Sequence, residues 1–107
     1  MPAAGIPHRR RWWPYGRVQV SGSSMRPTLA DGDRLLVRWG AAPRPGKLVV
    51  VRLPDGTPAV KRAFGRDGAG WWVERDNPQE GVDSWQVGAI PAADVLGTIV
   101  LRYRRGS

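Results

Sequence analysis

Cysteine is absent from this 107-residue chain. That excludes disulfides, thiolate metal sites and a cysteine nucleophile, and it leaves the redox compartment open. Histidine is nearly absent too. His8 stands alone in a Pro/Arg-rich N-terminal stretch, so neither a Ser-His-Asp triad nor a three-ligand metal site is expected, and no metal or cofactor is assigned. No run of 18 apolar residues exists, so no transmembrane segment is expected. Arg9-Arg10-Arg11 leads to Trp12-Trp13 and then Pro14, without the apolar stretch of a signal peptide. Residues 1–16 are expected to be a flexible basic segment whose tryptophans tuck against the domain. Contact of this segment with anionic lipid or a phosphate backbone is the alternative. Lysine is scarce as well: of seventeen basic residues in a chain of net charge +8, only Lys47 and Lys61 are not arginine.

What is present is regular punctuation by Pro and Gly every eight to twelve residues, with short β-branched runs between. That pattern predicts one mainly β domain, an antiparallel sandwich or partly open barrel with short loops. The folded part is expected over 17–103, with 104–107 a tail. Arg17 to Val20 alternates and reads as a first strand, closed by the turn-type cluster Ser21-Gly22-Ser23. Arg34 to Trp39 and the apolar run Leu48 to Leu53 follow as strands, separated by a Pro/Gly loop over 41–46. Pro54-Asp55-Gly56-Thr57 predicts a hairpin turn, with Pro58 to Phe64 the returning strand. A further turn at Arg66 to Gly70 precedes a strand over 71–74. Residues 76–87 lack any period and read as an ordered loop, Ile90 to Asp94 as a short helical turn, and Val95 to Tyr103 as the last strand. Gly97 there is a candidate bulge.

The chemistry lies in Ser24-Met25-Arg26-Pro27-Thr28-Leu29 and in Lys61, 37 residues after the serine. Pro27 bars a regular strand, so Ser24 is expected on irregular backbone just beyond the first strand. Lys61 alternates with Ala59 and Ala63, so small neighbours leave its amine room and little water. A serine beside a neutral lysine is a nucleophile with a base. An unperturbed lysine of pKa ~10.4 is neutral in only about one molecule in 2,500 at pH 7, so burial must lower that value. Arginine could not serve, because it does not deprotonate in proteins. The plain alternative is an exposed, charged strand lysine. Gly22, Ser23 and Met25 would shape the nucleophile turn, Gly22 through backbone angles that aim amides at a substrate carbonyl, and Met25 as an apolar wall.

These residues resemble a known family. Ser24 to Leu29 with Asp31-Gly32-Asp33 looks like the nucleophile box of type I signal peptidases, and Val60 to Gly65 like the box that carries their lysine base. Asp76-Asn77 and Asp83-Ser84 are similar to the third box. The resemblance implies a Ser–Lys serine endopeptidase with Ser24 as nucleophile, Lys61 as base, and Asp76, Asn77, Asp83 and Ser84 supporting the loop around the lysine. Three positions depart from the pattern. Arg75 replaces the glycine before Asp-Asn, and Trp85 replaces the arginine after Asp-Ser. Gly81 stands where some members carry a serine that orients the lysine. Arg62 and Arg75 are the candidates to partner Asp83 in place of the lost arginine.

A compact form without a membrane anchor, with Trp71-Trp72 ahead of the third box, resembles the nickel-type superoxide dismutase maturation proteases. That branch implies cytoplasmic removal of a short N-terminal propeptide. The substrate is expected to bind as an extended peptide, and a monomer that binds no nucleic acid is expected. Three other readings compete. One is membrane-associated processing of secreted proteins. A second is a self-cleaving domain of the LexA repressor type, which predicts a scissile bond in its own chain. The third is a non-enzymatic basic binding module, which predicts an exposed, charged Lys61.

Overall fold

The computed structural model describes residues 14–106; His8, the Arg9–Arg11 run, Trp12, Trp13 and Ser107 lie outside them. Seven antiparallel strands form one sheet: β1 Tyr15–Gln19, β2 Arg34–Trp39, β3 Leu48–Arg52, β4 Pro58–Asp67, β5 Gly70–Glu74, β6 Ile90–Pro91 and β7 Val95–Arg104. Their order across the sheet is β1-β2-β7-β3-β4-β5-β6. The mainly β expectation holds, in the form of a sheet curled into a half-barrel. One short helix, α1 over Ser84–Val87, packs beside β5.

Two apolar clusters lie on opposite faces of the curled sheet. One holds Val49, Val51, Ala63, Trp71, Val73 and Ile90. The other holds Val20, Met25, Leu29 and Leu35, with Val18, Leu48, Val60 and Ile99 against it. Alternation along β3 and β4 sorts neighbouring residues between the two. Leu48 and Val60 go to the second cluster, Val49 and Ala63 to the first. Each fully buried Val or Leu contributes roughly 1.5–3 kcal/mol, so both faces hold the sheet in register. In that register Lys61 lies opposite Val49 and Ala59 opposite Val51, which draws the lysine into the interior with its apolar neighbours.

Several boundaries differ from the sequence reading. β1 begins at Tyr15, and β4 runs on to Asp67, so the β4–β5 turn is only Gly68-Ala69, with Gly68 at φ +61°. The loop 76–87 contains helix α1. Its start carries a capping box: the Asp83 carboxylate accepts from the Trp85 N–H, and the Gln86 side chain accepts from the Asp83 N–H. The predicted turn at 90–94 divides into β6 and a 3-10 turn over Ala92–Asp94. Against β3, the register break on β7 falls at Leu96, since Val50 pairs with Gly97 and Val51 with Val95. Gly97 is needed for a different reason. A Cβ there would come within 2.7 Å of the Arg38 carbonyl oxygen. Beyond β7 the chain does not hang free: the Gly106 N–H donates to Asp33 Oδ1 at 2.6 Å.

Candidate active site

Ser24 opens the turn that follows β1, and Lys61 lies mid-way along β4. Their side chains meet with Lys61 Nζ 3.1 Å from Ser24 Oγ. Lys61 is only 3% exposed, so it is not an exposed strand lysine. Burial lowers its pKa from the ordinary lysine value. The Asp83 charge opposes that fall and the Arg75 charge adds to it. When protonated, the amine donates to the Ser24 hydroxyl. When neutral, its lone pair can accept a hydrogen bond from that hydroxyl.

The nucleophile turn is tied down from the loop that follows β5. The Asn77 N–H donates to the Ser24 carbonyl at 2.8 Å and Asn77 Nδ2 to the Ser23 carbonyl at 2.9 Å. The Thr28 hydroxyl donates to Asp76 Oδ2 at 2.5 Å, and the Asp76 N–H reaches Met25 Sδ at 3.4 Å. Met25 is buried beneath the serine at 1% exposure. Asp76 is gripped in turn by Arg62 through two bonds of 3.0 and 2.6 Å. The Arg62 bonds, with Thr28 assisting against the effect of burial, hold the Asp76 carboxyl below its ordinary pKa.

A testable consequence follows for Asp76→Asn. A depressed carboxyl pKa gives stability that is present above the unfolded value and lost as pH falls through the folded one. The variant should therefore lose about 1 kcal/mol at neutral pH, a modest figure because Arg62 is partly solvated. Wild type and variant should converge in acid, which denaturant unfolding at several pH values measures.

Arg75 partners Asp83, while Arg62 serves Asp76. Asp83 Oδ2 accepts from the Arg75 N–H at 2.9 Å, and Oδ1 stands 3.6 Å from Arg75 Nη1. Ser84 Oγ accepts from the Val73 N–H at 2.9 Å. Both residues are buried, and both fasten α1 to the strand that flanks β4. Arg75 also donates to the carbonyls of Asn77 and Pro78, so the residue replacing the expected glycine stitches the loop together. Gly22 adopts φ +89°, and its N–H donates to Asp31 Oδ1 at 2.8 Å. That amide shapes the turn. Among the described residues, the N–H of Ser24 itself donates no hydrogen bond within the turn.

Two features were not singled out in the sequence. The first is the closeness of Gly81: at φ +102°, a Cβ there would stand 2.4 Å from Ser24 Cβ. The second is a clamp below the turn. The Asp33 carboxylate, 2% exposed, accepts from the N–H groups of Ala30 and Gly106 and from Arg102. Burial pushes its pKa up, but those bonds more than offset it and the carboxyl stays below its ordinary value. Arg102 also donates to the Thr28 carbonyl. Asp31-Gly32-Asp33 enters the sequence reading only as part of the nucleophile box, and nothing in its local pattern announces partners some seventy residues away.

A cleft of about 490 Å³ opens over the pair, walled by Val18–Met25 on one side and Thr57–Lys61 on the other, with Glu80 and Gly81 at its rim. Along that wall β4 has a free edge. Pro58 to Lys61 pair only with β3, and pairing to β5 starts at Arg62. Free backbone groups beside an apolar cleft suit an extended peptide. Among the described residues no helix is long and apolar enough to cross a membrane, and no group of three His, Cys, Asp or Glu is placed to hold a metal ion. A sequence profile described as Peptidase S24-like matches residues 14–100. No curated protein gives a match.

Proposed function

The chain belongs to the Peptidase S24-like family, and from that premise we propose that it is a serine endopeptidase working through a Ser24–Lys61 dyad. The observation that carries the reading is the 3.1 Å approach of a buried amine to a hydroxyl at the edge of a cleft. Neutral Lys61 takes the Ser24 proton as Oγ attacks the carbonyl carbon of the scissile bond. The oxyanion that forms meets the Ser24 N–H. The lysine ammonium returns the proton to the leaving amine, which departs and leaves an ester on Ser24. Water, deprotonated by the same amine, then hydrolyses that ester and regenerates both groups. The substrate strand lies in the cleft against Pro58 to Lys61.

The substrate we propose to try first is a nickel-type superoxide dismutase proprotein, cleaved in the cytoplasm behind a short N-terminal propeptide. Support for this branch is the sequence resemblance alone. Its Trp71-Trp72 pair has divided roles in the fold: Trp71 is buried in the core, while Trp72 stacks edge-on against Trp85 with ring centroids 5.2 Å apart. The S24-like match favours a second reading, cleavage within the protein's own chain. The binding-module reading is weakened by the buried lysine.

Incubation of the proprotein with wild type, Ser24→Ala and Lys61→Ala, followed by intact-mass analysis, tests these together. Loss of a defined N-terminal mass from the proprotein with wild type only is the expected result. Shortening of the protease itself, abolished in Ser24→Ala, would select self-cleavage. No cleavage of either would overturn the enzymatic reading.

A further inference from the structure

Beside the cleft the sheet presents an arginine-lined face. Cross-strand partners share a face, and residues two apart on a strand return to it. Arg17 lies opposite Leu36, two residues from Arg34, and Arg34 lies opposite both Gln19 on β1 and Arg104 on β7. Arg17, Arg34 and Arg104 therefore stand together on one face of β1, β2 and β7, and all three are exposed. None lies within ion-pair distance of a carboxylate among the described residues, in contrast to Arg52, Arg62, Arg75 and Arg102.

Beside Arg17 and Arg34 is an open depression of about 300 Å³, lined by those two with Gln19, Tyr103 and Val18. Val18 and Gln19 also wall the cleft that contains Ser24 and Lys61, so β1 borders both hollows. Glu80 also lines that cleft, and the next residue, Gly81, stands against Ser24. Charge is thus divided: arginines along β1 and β2, a glutamate beside the nucleophile.

We propose that this depression is a substrate subsite for acidic side chains, and that the protease takes extended peptides bearing Asp or Glu at alternate positions away from the scissile bond. The inference rests on the peptidase reading for its biological meaning. β1 is an edge strand, so a peptide added alongside it sends every second side chain to the arginine face. The guanidiniums of Arg17 and Arg34 line it without carboxylate partners among the described residues, and they supply the complementary charge and the fork geometry that carboxylates fit. Glu80 disfavours acid next to the cleaved bond, which places the preference at a distance from it.

The test is made on Ser24→Ala protein, so that binding is read without turnover. Isotope-labelled protein is titrated with two soluble decapeptides, one alternating Ala and Glu, the other alternating Ala and Gln. The Glu peptide should bind about tenfold tighter, as two to three exposed charge pairs allow, with shifts at Arg17, Gln19, Arg34 and Tyr103. The preference should collapse near ~0.5 M salt. Arg17→Glu/Arg34→Glu should reverse it in favour of an Ala-Lys peptide, whereas Arg44→Glu/Arg66→Glu, with the same charge change on exposed residues elsewhere, should keep it. Equal affinity for both peptides, no binding of the Glu peptide, or shifts away from these four residues would overturn the proposal. So would binding of phosphatidylserine vesicles or duplex DNA through this face without discrimination between the peptides. Discrimination that persists while wild type cleaves nothing would instead sink the peptidase reading and leave the acidic subsite standing.

Discussion

Lys61→Met should leave a folded, more stable protein that no longer cleaves. The loss expected is about 10²- to 10⁴-fold in kcat, the usual contribution of a positioned general base. Stability should move the other way. The buried amine has a folded-state pKa below that of the unfolded chain, so between those two values the unfolded chain binds more protons and stability rises with pH. The deficit is therefore full at and below the folded pKa and is relieved as pH approaches the ordinary lysine value. Methionine fills similar space without that deficit. Its advantage should be roughly 1 kcal/mol or more at neutral pH, a few degrees in Tm for a domain of about this size, and should shrink in alkali. Wild-type activity should rise with pH along a limb lying below the ordinary lysine value. Paired thermal melts and pH–rate profiles check both halves. A variant less stable than wild type at pH 7, or one retaining activity, would show that the amine is a structural donor to Ser24 and not a base.

That trade of stability for chemistry also explains which parts of the site could be read from the chain. The strands carry their own signals. Leu48-Val49-Val50-Val51 is apolar on both faces because clusters lie on both sides of the sheet, and Asp55-Gly56 needs Gly56 at φ +89° to close the hairpin. Lys61 was legible because a lysine flanked by Ala59 and Ala63 breaks an apolar pattern. Ser24 was legible because Pro27 forces it off the strand.

What the sequence hid is long-range. Whether Arg62 or Arg75 answers Asp83 depends on how the loop after β5 folds back, and both arginines are chemically suited. Asp33, Arg102 and Gly106 form their clamp across the sheet. Helix α1 is one turn long, too short to leave a hydrophobic period, and only the Asp83–Gln86 spacing hints at it. Local pattern specifies elements. Pairings between distant polar residues follow from the register that packing imposes.

The departure at Gly81 leads to the second large effect. A serine there is the change that the family pattern invites, since it would offer the lysine another hydroxyl partner. In this chain it should slow cleavage on the order of 10²-fold or more. The added Cβ would have to share space with Ser24 Cβ at 2.4 Å and would lie 3.5 Å from Ser24 Oγ, so either the loop retreats or the nucleophile turns away from Lys61. The turn has little freedom to yield, because Asn77 holds the carbonyls of both Ser23 and Ser24. A displacement of about 1 Å at a nucleophile costs on the order of 10²-fold in rate. Left-handed backbone at residue 81 adds a stability cost of roughly 1–3 kcal/mol for any L side chain. Gly81→Ala separates the causes: it carries the Cβ without the hydroxyl and should be as inactive as Gly81→Ser. Neighbouring Val82→Ala, exposed and free of this contact, should retain activity. If Gly81→Ser cleaves as fast as wild type while Gly81→Ala does not, the hydroxyl is aiding the lysine, and the tight packing of residue 81 on Ser24 is not what fixes the geometry of the pair.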